Sequence, residues 1–201
     1  MADIDVYGRI RQGCMDIEHF KKKDSVIVEK RSFDLRECWE EGVDNQTIFD
    51  TLFDACCGKE HVYWLAFGYT GSGKTYTING LIRDLLDYYV DECATISCYQ
   101  IYNNTIYDML NSNRKLVYRK TDGLFIHGLK KNRYDSTSVL KLFSKLKKTR
   151  ANADTTMNKS SSRSHMIMTI KIADRVFTLC DLAGQEVGKT SVKVNNLIDT
   201  T

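Results

Sequence analysis

The stretch Gly68-Tyr69-Thr70-Gly71-Ser72-Gly73-Lys74-Thr75 follows an apolar run, Val62-Tyr63-Trp64-Leu65-Ala66-Phe67, and precedes a segment whose apolar residues recur at helical spacing. It fits the pattern G-x-x-x-x-G-K-[ST], in the strand-before, helix-after setting that a phosphate-binding loop requires. Glycines let the backbone wrap closely around a polyphosphate, so that successive N–H groups of residues 68–73 point inward at the anion. Lys74 then reaches the outer phosphates, and Thr75 places its hydroxyl on Mg²⁺. The alternative is a Gly-rich turn that merely joins strand to helix.

Working outward, the 201 residues suffice for one sizeable domain, and no Pro/Gly/Ser-rich linker divides them, so residues 1–201 read as a single domain. Lys and Arg number 29 against 26 Asp and Glu, a net charge of +3. That balance is too mild for a nucleic-acid binder. No apolar run approaches the length that spans a bilayer, so no membrane partner is expected. Seven cysteines, odd in number and scattered, with no secretory segment ahead of them, read as an intracellular, cytoplasmic chain with reduced thiols. Cys56-Cys57 and Cys93/Cys98 lack metal-ligand spacing and read as buried thiols. Proline is absent, where average usage would supply about ten, so turns fall to Gly, Asn and Asp.

Along the chain, Ile4 to Arg11 alternates like a half-buried strand, and Ser25 to Glu29 reads as a second one. Ile48, Leu52, Phe53 and Cys56 form a helical stripe behind Asp44 or Asn45 as N-cap. Past the glycine loop, Ile78, Leu81, Ile82, Leu85, Leu86 and Tyr89 line one side of a helix. Thr95 to Tyr102 is β-branched and aromatic, as a strand would be. Asp122-Gly123 turns between strand-like Lys115–Arg119 and Leu124–His127. Val139, Leu140, Phe143 and Leu146 make a helix stripe opposite Lys141, Lys145, Lys147 and Lys148, read as a solvated face. Met166 to Ile172 alternates as a strand, and Val176 to Cys180 is a short apolar strand ending at Asp181. Interleaved strands and helices predict an α/β fold with helices on both faces of a sheet, and the glycine loop at the carboxyl end of a central strand.

Hydrolysis requires Mg²⁺ held on its far side and a sensor for the terminal phosphate. Asp181, at the end of a buried strand, is the expected Mg²⁺-side carboxylate. Gly184 lets a backbone N–H approach the phosphate closely. Asn158-Lys159-Ser160-Ser161-Ser162-Arg163-Ser164-His165 is, on composition alone, an ordinary polar loop.

Gly68–Tyr76, Asn158–His165 and Asp181–Glu186 together resemble, in order, the three nucleotide motifs of kinesin motor domains, the middle one reading N-x-x-S-S-R-S-H in full. The likeness extends to Arg9-Ile10-Arg11, Ser32-Phe33-Asp34, Gln46-Thr47-Ile48-Phe49 and Gln100 to Leu110, and so covers about residues 4–187. The resemblance implies a P-loop ATP hydrolase with a mixed central sheet, ATP and Mg²⁺ as cofactors, and a microtubule as partner, placing the chain on the cytoskeleton. Residue by residue, it implies that Arg9 lies against the adenine and Tyr76 stacks on it. Gly68, Tyr69, Thr70, Gly71, Ser72, Gly73, Lys74 and Thr75 hold the phosphates. Thr75, Ser162 and Asp181 serve the metal. Asn158, Ser161 and Ser162 form a first switch, Asp181 and Gly184 a second, and Arg163 pairs with Glu186 to close the site.

The chain departs from the family in four places. Gln12 stands where R-x-R-P ends in proline, loosening the base pocket. Asn79-Gly80-Leu81-Ile82-Arg83 runs on where kinesins carry an insertion. Gln185 replaces the usual serine of the second switch and resembles the water-orienting glutamine of Ras-like GTPases, although no N-K-x-D guanine motif is present. Finally, the family's relay helix, a further strand and the C-terminal helices are expected to be missing beyond Thr201, with a neighbouring strand left unpaired. Lys130, Lys131 and Arg133 remain as basic residues that could face tubulin. The alternative reading is therefore a shortened, ATP-binding regulator that moves nothing.

Overall fold

The computed structural model describes residues 4–10, 25–28, 31–121, 123–135, 138–139, 141–142, 145–146 and 163–185. It divides into two compact units, Met1–Ala55 and Cys56–Thr201.

The first unit holds β1 (Tyr7–Arg9), β2 (Ser25–Val28), β3 (Arg31–Asp34), β4 (Glu37–Trp39) and α1 (Asn45–Ala55). β1 runs parallel to β4, and β2 antiparallel to β3. The alternating N-terminal stretch thus supplies three strand residues, with Arg11 outside the described residues. Gly8 is needed for close approach: a Cβ there would lie 2.7 Å from Leu35 Cδ1 and 2.8 Å from Cys38 Sγ. Tyr7 stacks on Trp39, ring centroids 5.4 Å apart. Of the two candidate caps for α1, Asp44 is the one used. Its carboxylate accepts the Thr47 N–H at 2.8 Å, a bond that holds the Asp44 carboxyl below the usual carboxylate range.

The second unit is built from β5 (His61–Ala66), α2 (Lys74–Tyr88), β6 (Ala94–Tyr102), β7 (Thr105–Asp108), β8 (Arg114–Thr121), β9 (Gly123–His127), β10 (Asn132–Tyr134), β11 (His165–Ile172) and β12 (Arg175–Asp181). They form one mixed eight-stranded sheet in the order β5-β12-β11-β6-β7-β8-β9, with β10 beside β6. β5 and β12 are parallel, and the other pairings are antiparallel. The α/β character holds, but β5 is the end strand of the described sheet rather than a central one. Helical residues 138–139, 141–142 and 145–146 mark the expected third helix; Leu140, Phe143, Lys147 and Lys148 lie outside the described residues, as do Glu29 and Asp122. The strands β3, β4, β7 and β10 carry too few residues to register as periodic in the sequence.

One face of the sheet is the core. Val62 and Trp64, Phe177 and Leu179, Met166, Met168, Ile170 and Ile172, and Ile96 and Cys98 are all buried. Registers Trp64↔Leu179 and Leu179↔Met168 keep them on one side. The stripe Ile78, Leu81, Ile82 and Leu85 of α2 is buried and packs on β5 and β12. Tyr89, which caps α2, reaches Phe177 at 6.4 Å between centroids. Each fully buried side chain of this size contributes about 1.5–3 kcal/mol. On the opposite face of β5, Tyr63 and Leu65 are 65% and 61% exposed, and Phe67 just beyond is 72% exposed.

Turns are made without proline, as composition demanded. Asn103 and Asn104, between β6 and β7, both take positive φ (47° and 58°), the signature of a two-residue type I′ hairpin. Ala173, which opens the β11–β12 turn at φ 48°, is an L-residue in a glycine-favouring conformation. We expect Ala173→Gly to stabilise the chain by about 0.5–1 kcal/mol, read as a melting temperature raised by roughly 2–3 °C. An unchanged or lower midpoint would refute strain at this turn.

The six described cysteines are free, and burial divides them. Cys38, Cys56 and Cys98 are buried and Cys180 is half-buried, whereas Cys57 and Cys93 are exposed, which corrects the reading of all four paired cysteines as buried. Burial pushes the Cys56 and Cys180 thiols up, partly offset at Cys56 by Arg175, whose Nη2 donates to its Sγ at 3.1 Å. A raised thiol stays protonated and unreactive at neutral pH. Iodoacetamide at pH 7.5 should label Cys57 and Cys93 at least about tenfold faster than Cys56 and Cys180, whose labelling rises as pH passes the ordinary thiol value of 9.0. Equal rates by peptide mapping at pH 7.5 would count against this assignment.

Candidate functional site

The glycine loop leaves the carboxyl end of β5 and enters α2 directly. Gly68, Gly71 and Gly73 take φ of 145°, 77° and 95°, conformations that L side chains rarely adopt. At Gly68 a side chain would also collide, since a Cβ would sit 2.9 Å from Ser72 Oγ. Ser72 N–H donates to the Tyr69 carbonyl at 3.1 Å, closing the loop on itself. Gly73 caps α2 without a side-chain hydrogen bond, and the first turn of the helix carries no acidic residue. The positive end of the helix dipole is therefore left uncompensated by any carboxylate of its own first turn, which suits an anion.

Lys74 folds back across the loop, donating from Nζ to the Gly68 carbonyl at 2.8 Å and the Tyr69 carbonyl at 2.7 Å. Thr75 points the other way. Its Oγ1 donates to Asp181 Oδ2 at 2.6 Å, joining residues 106 positions apart. The parallel pairing of β5 with β12 makes this possible, because Ala66 lies in register with Asp181. Asp181 is 1% exposed.

The chain stays fastened to the loop after β12. Leu182 N–H donates to the Ala66 carbonyl and Gln185 N–H to the Gly68 carbonyl, each at 3.3 Å. Gly184 lies between these two bonds. Gln185 therefore contributes its backbone, while the residue itself is exposed. His165 adds a link that sequence reasoning missed. Its Nδ1 accepts the Ala183 N–H at 3.1 Å, tying the start of β11 to the segment after β12. Spacing gave no signal for this, since the contact depends on the antiparallel register of β11 and β12.

Among the described residues, the structure thus brings together Gly68, Tyr69, Thr70, Gly71, Ser72, Gly73, Lys74, Thr75, Asp181 and Gly184. Tyr76, in the first turn of α2, is 64% exposed, open to a flat ligand. Arg163 is exposed just ahead of β11. Asn158, Ser161, Ser162 and Glu186 lie outside the described residues, as does Gln12. Arg9 belongs to the first unit, where its guanidinium donates to Asn45 Oδ1 at 2.7 Å and to the Val43 carbonyl at 3.0 Å.

This donor set suits a polyphosphate carrying a hard divalent cation. The loop supplies left-handed glycines and an ammonium, and Thr75 and Asp181 present adjoining oxygens. Mg²⁺ usually takes one or two protein oxygens with phosphates and waters, so a dedicated cage of acidic residues is not required.

The kinesin motor domain family model matches residues 11–200. Kinesin-like protein 3 of Schizosaccharomyces pombe is 35% identical over 161 residues, covering 63% of this chain and 29% of its own length. Kinesin-like protein KIF24 of Mus musculus is 28% identical over 222 residues, 88% of this chain and 16% of its own. Kinesin-like protein KIN-13B of Arabidopsis thaliana is 28% identical over 208 residues, 87% of this chain and 30% of its own. The chain thus spans less than a third of the length of each. A solved structure of a fast kinesin superposes with a TM-score of 0.71 at 24% identity, over 93% of this chain and 67% of that one, a likeness of fold. Because the family model extends over nearly the whole sequence, and the sheet and loop fold as that family's do, the chain belongs to the kinesin motor domain family.

Proposed function

We propose that this chain, as one motor-type domain, binds ATP with Mg²⁺ and hydrolyses it, coupling the nucleotide state to a microtubule. The observation that carries the reading is the 2.6 Å contact between Thr75 Oγ1 and Asp181 Oδ2. The two oxygens expected to serve one cation stand side by side, from positions 106 residues apart. Bound Mg²⁺ would neutralise phosphate charge as it develops during transfer.

The protein's own residues position and stabilise. Lys74 exchanges two backbone carbonyls for phosphate oxygens, a charge-assisted bond replacing neutral ones. Backbone N–H groups of the glycine loop other than Ser72, whose N–H bonds the Tyr69 carbonyl, line the anion, and the N-terminus of α2 faces it. Tyr76 offers its exposed ring to the base. Asn158, Ser161 and Ser162 are proposed to sense the terminal phosphate, with Ser162 also serving the cation. Gly184 gives its N–H from the other side, and Arg163 pairs with Glu186 when the site closes. Such a mechanism is orientation and electrostatics rather than covalent catalysis.

The test is steady-state ATP turnover with and without microtubules. Lys74→Ala and Asp181→Asn should each lower turnover by at least about a hundredfold, with the fold retained by circular dichroism. If wild-type turnover never exceeds that of Lys74→Ala, hydrolysis is refuted. ATP binding without microtubule co-sedimentation would leave the chain as a nucleotide-binding regulator. Gln185→Ala should change turnover by less than about twofold, because the residue meets the loop through its backbone. A tenfold fall would instead give that side chain the water-orienting role it has in Ras-like GTPases.

A further inference from the structure

A pocket of about 280 Å³ opens on the second unit away from the glycine loop, lined by Met109, Leu110 and Leu142 together with Lys130, Lys141 and Lys145. Asn132, Tyr134 and Ser138 complete it. Met109 and Leu142 are 4% and 7% exposed, so the floor is firm and apolar. The three lysines are exposed at the rim. Lys141 and Lys145 are exposed, in keeping with a solvated helix face, and their i, i+4 spacing sets both beside this hollow.

The walls are fixed by specific bonds. Asp108, fully buried at the end of β7, accepts the backbone N–H of Leu110 at 2.9 Å and of Lys130 at 2.8 Å, holding one floor residue and one rim residue in place. Met109 N–H bonds to the Cys98 carbonyl at 3.0 Å. Asn132 Nδ2 donates to Tyr134 Oη at 3.0 Å. The helical residues start at a reciprocal cap, in which Asp135 Oδ1 accepts the Ser138 N–H at 2.8 Å and Ser138 Oγ accepts the Asp135 N–H at 3.0 Å. Asp135 is the acidic residue nearest the rim in sequence, and it is engaged in that cap.

We propose that this pocket docks an acidic segment of a partner protein, which inserts one apolar side chain between the three lysines. The volume stands at the lower end of the range for ligand pockets and accommodates a single large side chain. The apolar floor rewards such an anchor. The rim favours flanking carboxylates: Lys131 and Arg133, exposed on the same β10 segment, extend the positive field. No arginine lines the pocket to grip a phosphate bidentately, so carboxylates on a peptide suit it better than a free phosphate group. The proposal does not depend on nucleotide chemistry.

The experiment measures fluorescence anisotropy of a labelled synthetic peptide, glutamates flanking one central leucine, against the full chain without nucleotide or microtubules. Binding should weaken about tenfold in Lys141→Glu/Lys145→Glu and about tenfold when the peptide leucine becomes serine. Lys59→Glu, a charge reversal at an exposed residue outside the pocket lining, should bind within about twofold of wild type. The proposal is overturned if the control variant loses as much affinity as the pocket variant. It is also overturned if the leucine is dispensable, or if inorganic phosphate at millimolar concentration displaces the peptide completely.

Discussion

The parallel pairing of β5 with β12 is the constraint on which the rest of the site depends. Side chains at paired positions of adjacent parallel strands emerge on the same face, so Ala66 beside Asp181 fixes where both strands release their chains. One chain end becomes the glycine loop and Thr75. The other becomes the Asp181 carboxylate and the backbone that bonds Ala66 and Gly68. A slip of one residue would turn Asp181 from the buried face to the opposite one and separate the two oxygens. The core therefore sets the chemistry: Trp64 against Phe177 and Leu179 against Met168 hold the register that the site requires.

This coupling explains the uneven burden on the buried polar groups. Asp181 is a carboxylate almost wholly removed from water, a costly placement unless its oxygens find donors. In the structure Thr75 supplies one, its hydroxyl donating to Oδ2 at 2.6 Å. Asp108 solves the same problem differently, by accepting two backbone N–H groups. Asp84, buried on α2, has Arg83 on one oxygen and, among the described residues, no hydrogen-bond partner on the other.

Much of this was legible in the sequence, for reasons that differ from element to element. α2 and β6 were readable because their periods run long enough to stand above chance, and the glycine loop because its spacing is tied to a mechanism. Asp181 was readable because a carboxylate at the end of an apolar strand has few structural excuses. β7 and β10, of four and three residues, are held by neighbours rather than by pattern, and could not be seen. The edge position of β5 was equally hidden, since the apolar alternation of its buried side is what a central strand also shows. His165 appeared inside a recognised motif, yet its bond to Ala183 is a product of tertiary register alone.

The edge position of β5 has a consequence for how the chain behaves in the test tube. No charged residue or proline interrupts His61-Val62-Tyr63-Trp64-Leu65-Ala66, and no described strand pairs with its outer side. Natural sheets blunt such edges with lysine, proline or a bulge. Among the described residues, a row of backbone donors and acceptors without a strand partner adjoins the exposed Tyr63, Leu65 and Phe67. Strand addition at that border would hold a second copy of the chain by backbone hydrogen bonds, and a lysine in place of Leu65 would oppose it.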